Sequence, residues 1–294
     1  MVADFMPTDP IQVAVAIFEL CLLLTGGLLV LRLLLIPEQR ARWLGSNRLA
    51  PWLVTLPEFL LFVVLLFLSG MLFQGVLHAL LRDIIAASAD REGLQIFVYG
   101  AGFDGGALIG LLLFPSLRKT WAHDPGAAPP ILPASPPPWS KVALHAGATL
   151  LVVMPVITIL SLGWTQLVRW FGLPDEPQPL IAVFASTRSP LVLAGMFLVA
   201  CVLGPLFEEL VFRAGLYRYC RQKLGRSWAL VISGSLFGAL HGNWAGFLPL
   251  AVLGVIFALV YEATGDIRVP VVAHSLFNLN AILMVLSGLP QAVQ

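Results

Sequence analysis

Three short stretches in the second half of the chain set ionisable or amide side chains at helical spacing. The first, GPLFEELVFR, holds Glu208, Glu209 and Arg213. Glu208 and Glu209 are adjacent, so on a helix they project about 100° apart. Arg213 lies four residues beyond Glu209 on the same face and suits an ion pair with it. That pairing occupies Glu209 and leaves Glu208 to point into a cavity. Pro205 removes a backbone hydrogen bond just before the pair and favours a kink or local opening. The second stretch, FGALH, sets Phe237 and His241 at i and i+4. The third, HSLFN, does the same with His274 and Asn278, while Asn280 falls off that face and reads as structural. A carboxylate beside a histidine, in a water-accessible pocket of low dielectric, can hold and activate a water. A second histidine and an amide can donate hydrogen bonds to a developing oxyanion. These are the parts of peptide-bond hydrolysis without a covalent enzyme intermediate. Glu208, His241 and His274 can equally be three ligands of a catalytic zinc with water in the fourth position, although no HExxH motif is present. Each group also has a plainer explanation. Charges at a helix exit meet headgroups, and a histidine in an apolar helix can be a satisfied structural group.

The elements that must carry these residues follow from composition. Of 294 residues, 59% are hydrophobic and 11% charged, against about a quarter charged in a soluble domain. This excludes a soluble enzyme, a disordered chain and a nucleic-acid binder with a basic patch. The net charge of +1 argues against a strongly charged partner. Cys21, Cys201 and Cys220 are odd in number and scattered, so no disulfide framework is expected. Apolar stretches of about 20 residues suffice to span a bilayer. The expected fold is therefore all-α, a polytopic membrane bundle of about eight helices. The stretches lie at about Ile11–Ile36, Trp52–Leu81, Leu94–Phe114, Val142–Val168, Pro190 into Glu208–Glu209, two within Ser227–Tyr261 broken around Gly242–Gly246, and Val269–Leu286. Arginine and lysine concentrate in alternate loops, after the first, third, fifth and seventh stretches, which assigns those loops to the cytoplasm and both termini to the outside. His123–Trp139 is dense in proline and cannot be helix, so it reads as a stiff linker. It divides residues 1–122, with three helices, from residues 142–294, with five, across a linker at 123–141.

Other polar groups within the stretches need partners or an interface. Glu19, Arg32, Glu58, His78 and His145 are expected to reach a membrane–water boundary. Asp104 is deeper and marks either an ion path or a paired structural group. Two glycine stripes, Gly102–Gly106–Gly110 and Gly234–Gly238–Gly242, are expected to let helices pack closely. Helix rise places Glu208 and His241 at similar depth on either side of a turn near Gly225, whereas His274 comes out nearer the opposite end of its helix.

The three motifs together resemble those of the CPBP family, the CAAX prenyl protease and bacteriocin-processing (Abi-like) intramembrane proteases. The family pattern is EExxxR, FxxxH and HxxxN on successive helices. It stands here as Glu208-Glu209 to Arg213, Phe237 to His241 and His274 to Asn278, within about residues 190–286. The resemblance implies an endopeptidase that cleaves membrane-associated or prenylated-type peptides in the bilayer. It implies Glu208 as general base with His241 activating the water, His274 and Asn278 as an oxyanion hole, and Glu209, Arg213 and Phe237 as support. A metal-free route needing no cofactor is preferred over zinc. The expected partners are a peptide or lipidated peptide and the lipid bilayer, with no nucleic acid, and the expected location is a bacterial inner membrane. The competing functions are a non-catalytic immunity or scaffold protein of protease-like fold, and a transporter drawing on Asp104 and Glu19. No internal repeat supports the transporter.

Overall fold

The structure, a computed structural model, describes residues 9–121, 132–133, 135–175 and 179–289. Among them every regular element is helical. We number the helices α1 (Pro10–Leu35), α2 (Pro37–Leu44), α3 (Leu56–Ala87), α4 (Arg91–Trp121), α5 (Trp139–Trp170), α6 (Pro179–Ser186), α7 (Pro190–Leu224), α8 (Arg226–Leu240), α9 (Trp244–Thr264) and α10 (Arg268–Ser287). Seven of these, all but α2, α6 and α8, are long and apolar enough to cross a membrane. The remaining expected stretch is α8, which has 15 residues. The outward faces stay apolar, with Leu24, Leu28, Leu68, Leu72 and Leu80 all exposed. Such a surface is tolerable in lipid and not in water.

Local sequence sets the boundaries. Asp9 caps α1 by accepting from the Ile11 N–H, and Pro10 occupies the first helical position, where its missing N–H costs nothing. Thr55 and Glu58 form a reciprocal capping box on α3. Most of the proline-rich stretch, 122–131 and 134, lies outside the described residues. Residues 135–138 are non-helical, and α5 begins at Trp139, before the linker end expected at 141. The extended Pro138 (ψ 154°) presents its carbonyl to Lys141 N–H and so starts the helix earlier. Beyond the other end of α5, Arg169 Nε donates to Asp175 at 2.5 Å and holds that carboxyl below the usual carboxylate range.

Close packing uses the glycine stripes. On α4, Gly102 faces Gln74, Gly106 faces Ser69 and Phe73, and Gly110 faces Leu65, so α3 and α4 form one tight hairpin. Gly234 and Gly238 of α8 face Ala251 and Phe247 of α9 in the same way. The third member of that stripe does not pack. Gly242 lies in the α8–α9 turn with φ of 64°, a conformation in which a side chain is strained. Gly26 of α1 lies against the Leu151 carbonyl of α5.

The expected interfacial positions are only partly found. Glu58 does sit at a helix start, where Arg118 Nε donates to it at 2.7 Å. Glu19 does not reach an interface. It is buried in the middle of the 26-residue α1 and is held by the Asn280 side chain of α10. A carboxylate so far from either helix end cannot reach water by extending, so it takes a partner instead. At the end of the bundle away from His241, Glu262 of α9 is wholly buried and pairs with Arg221 of α7 at 2.6 Å and Arg226 of α8 at 2.7 Å.

These contacts predict opposite effects for two glycines. Gly238→Leu drives a side chain into the α9 backbone and should cost about 3 kcal/mol or more. A Cβ on Gly147 meets nothing within 4 Å, so Gly147→Ala should be neutral or stabilising by about 0.5–1 kcal/mol. Thermal unfolding of the two variants in detergent checks both signs.

Candidate active site

The site is built around a break in α7. Its first nine residues, Pro190–Leu198, are α-helical. Val199–Leu203 then widens to a π-helix, Gly204–Glu209 returns to α, and Leu210–Tyr217 is π again. In the first π segment the Gly204 N–H reaches back to the Val199 carbonyl. The next bond in that register would run from residue 205 to the Ala200 carbonyl, but residue 205 is proline and has no N–H. The orphaned carbonyl is satisfied from outside the helix, since Asn278 Nδ2 of α10 donates to Ala200 O at 2.8 Å. The opening expected from Pro205 is therefore real. Such π segments inside α-helices occur frequently at functional sites.

Beyond the break, Glu208 and Glu209 diverge as their adjacency requires. Glu209 is fully buried. Its Oε2 lies 3.0 Å from Arg213 Nε, and its Oε1 lies 3.0 Å from His274 Nδ1. Arg213, also fully buried, lies over Phe237 of α8 at 4.3 Å and within 5.4 Å of Phe257 of α9. The Phe237 ring contacts both His241 and His274. Phe237 thus serves as the floor beneath both histidines.

Glu208 points the other way, into a cavity of about 330 Å³. Its Oε2 lies 3.8 Å from His274 Nε2 and makes no hydrogen bond. The cavity's polar lining is Asp104, Ser161, Glu208, His241, His274, Asn278 and Asn280, and the rest is largely apolar, with Met154, Phe184 and Leu253 among its walls. His241 caps the C-terminus of α8, where the last carbonyls lack intrahelical partners. Its Nδ1 is 2.7 Å from the Phe237 carbonyl. A carbonyl only accepts, so Nδ1 carries the proton, and in the neutral ring Nε2 presents a lone pair.

The structure therefore brings Glu208, His241, His274 and Asn278 to one cavity and keeps Glu209, Arg213 and Phe237 behind it. His274 stands level with Glu208 although a depth count places it near the far end of its helix. Rise per residue along single helices does not encode their relative tilt, which the count left out. Asn280, expected off the face of His274 and Asn278, also lines the cavity. Asp104 does so as well, from outside the three motifs. Its signal in the sequence was a carboxylate among the glycines of α4, with no hint of which helix it would face. Among the described residues no group of three or more His, Cys, Asp or Glu side chains gathers to hold a metal ion.

The fold and cavity define a class: a membrane-spanning helical bundle with a carboxylate, two histidines and an amide enclosed within it. Residues 190–280 match the family described as "Type II CAAX prenyl endopeptidase Rce1-like", a stretch that contains all three motifs. The CPBP family resemblance of this stretch is thereby supported. Over 89 residues the chain is 32% identical to a protein of Bacillus subtilis (strain 168) named "Putative membrane peptidase YdiL". The alignment covers 30% of this chain and 36% of that relative, so the chain spans about a third of the length of the curated relative it matches. No solved structure matches.

The buried ion pair predicts a coupled stability effect. Arg213→Met leaves Glu209 charged in the interior with only His274 against it and should cost about 3–5 kcal/mol. The double variant Arg213→Met with Glu209→Gln removes both charges and should recover part of that loss. A double-mutant cycle read by thermal unfolding in detergent checks the coupling.

Proposed function

We propose that this chain is an intramembrane endopeptidase that hydrolyses a peptide bond by a metal-free, glutamate-type route. The observation that carries this is the convergence of Glu208, His241, His274 and Asn278, from three helices, on the one cavity within the segment matched by the family. In the proposed step a water lies between Glu208 and His241. Glu208 takes one proton as the water oxygen bonds to the carbonyl carbon, and the His241 Nε2 lone pair accepts the second hydrogen and holds the water in place. The carbonyl oxygen becomes an oxyanion. It is received by the Asn278 amide hydrogen not engaged by Ala200, and by Nε2–H of a His274 protonated on both nitrogens with Nδ1–H on Glu209. Glu208 then returns its proton to the leaving nitrogen as the C–N bond breaks.

The substrate class follows from the walls. A cavity with a few polar groups among largely apolar walls suits a peptide whose flanking groups are apolar, such as a membrane-associated or lipidated peptide. The proposed setting is the bilayer of a bacterial inner membrane.

Cleavage of fluorogenic peptides, prenylated and unmodified, by the purified protein in detergent tests the proposal. Glu208→Gln and His241→Ala should each lower kcat/KM by about 10²–10⁴-fold. Unchanged cleavage would remove the assigned roles and favour a non-catalytic scaffold. Activity should survive a strong chelator, and a loss restored by added zinc would overturn the metal-free route.

A further inference from the structure

The N-terminal helices lie outside the matched segment, yet α4 forms part of the cavity wall. Asp104 of α4 is 8% exposed, and that exposure faces the cavity. It makes no hydrogen bond or ion pair with any described residue; its one strong electrostatic neighbour is Glu208. The two carboxylates flank Gly204. A Cβ placed on Gly204 would lie 3.8 Å from Asp104 Oδ2 and 4.0 Å from Glu208 Oε1. The absence of a side chain there opens the space between them, with room for direct approach or one bridging water. His241 and His274 are the other titratable side chains of the cavity. His78 of α3 packs edge-on against Tyr99 of α4 and is not among the residues lining the cavity.

A buried carboxylate without a partner costs folding free energy, and an apolar residue of similar size removes that cost. Two carboxylates facing each other in a low-dielectric cavity are best accommodated with one proton between them, because adjacent negative charges there repel strongly. We infer that Asp104 is a positioning residue for Glu208: its carboxyl group donates a hydrogen bond, directly or through one water, to Glu208 Oε1, and so presents Oε2 to the attacking water. The inference rests on the endopeptidase function proposed above. It adds a second carboxylate to the site, contributed by a helix on which none of the three motifs lies. Asp104 acts through Glu208 and touches no substrate, so its loss should appear in kcat and not in KM.

The test compares Asp104→Leu and Asp104→Asn with the 294-residue wild-type chain, by steady-state cleavage and thermal unfolding in detergent. Leucine has the shape and no donor. Asparagine keeps an N–H donor at the same place. The expected result is that Asp104→Leu keeps or raises Tm, lowers kcat about tenfold or more and leaves KM within about twofold, while Asp104→Asn recovers most of kcat. Wild-type kcat in Asp104→Leu overturns the inference. So does a fall in Tm with a rise in KM in both variants, the pattern of a structural role. A wild type that cleaves nothing removes the proposed function and this inference with it. An active wild type, an inactive Glu208→Gln and an unaffected Asp104→Leu remove this inference alone.

Discussion

A charge buried in an apolar bundle must be compensated on the spot, and here one such charge organises the rest. Glu209 has no access to solvent, so Arg213 and His274 must both reach it. Arg213 shares α7 with Glu209, but its guanidinium needs apolar rings on its remaining faces, and α8 and α9 supply Phe237 and Phe257. His274 brings in α10. Four helices are thus fixed relative to one carboxylate, with a precision that apolar contact alone, which is non-directional, does not provide. Because Glu208 is the next residue in the chain, the same contacts aim it at the cavity.

The second constraint lies in the backbone. Pro205 leaves the Ala200 carbonyl without its helical partner at a depth where water is scarce, and Asn278 completes it. This ties α7 to α10 through a main-chain atom, at a point independent of the Glu209–His274 contact. The hydrogen bond also fixes the amide plane of Asn278. A side chain that could otherwise rotate is thereby held with its free hydrogen on a defined side. The local opening in α7 and the orientation of a cavity residue are two aspects of one missing N–H.

Spacing made legible whatever is local. The Glu209–Arg213 pair is an i,i+4 relation and survives the π segment that begins at Leu210. The apolar stretches recovered the spanning helices because length and hydropathy are summed over many residues. The approach of His274 to Glu209, 65 residues away, carried no local signal, and the family pattern stood in for it. Rise per residue counted along separate helices carries no information on how they tilt against one another, so the depth count could not place His274 beside Glu208. Glu19 and Asn280 were assigned singly, to an interface and to a structural face. Their real assignment is mutual, and a pairing between the first and last helices cannot be read from either sequence neighbourhood. Gly242 continued a four-residue period in the sequence, but the helix ends at Leu240, so the period outlasts the element that gives it meaning.

The cavity has a further consequence for what counts as a unit of this chain. The match to the family begins at residue 190, whereas the wall of the cavity begins with Ile96 and Asp104 on α4 and continues through Met154 and Ser161 on α5. A fragment cut to the similar stretch would keep all three motifs and leave the Gly204 side of the cavity open. Homology and enclosure draw different borders here. The portion that relatives share is a set of reagents, and the vessel that contains them is made by helices the comparison does not reach.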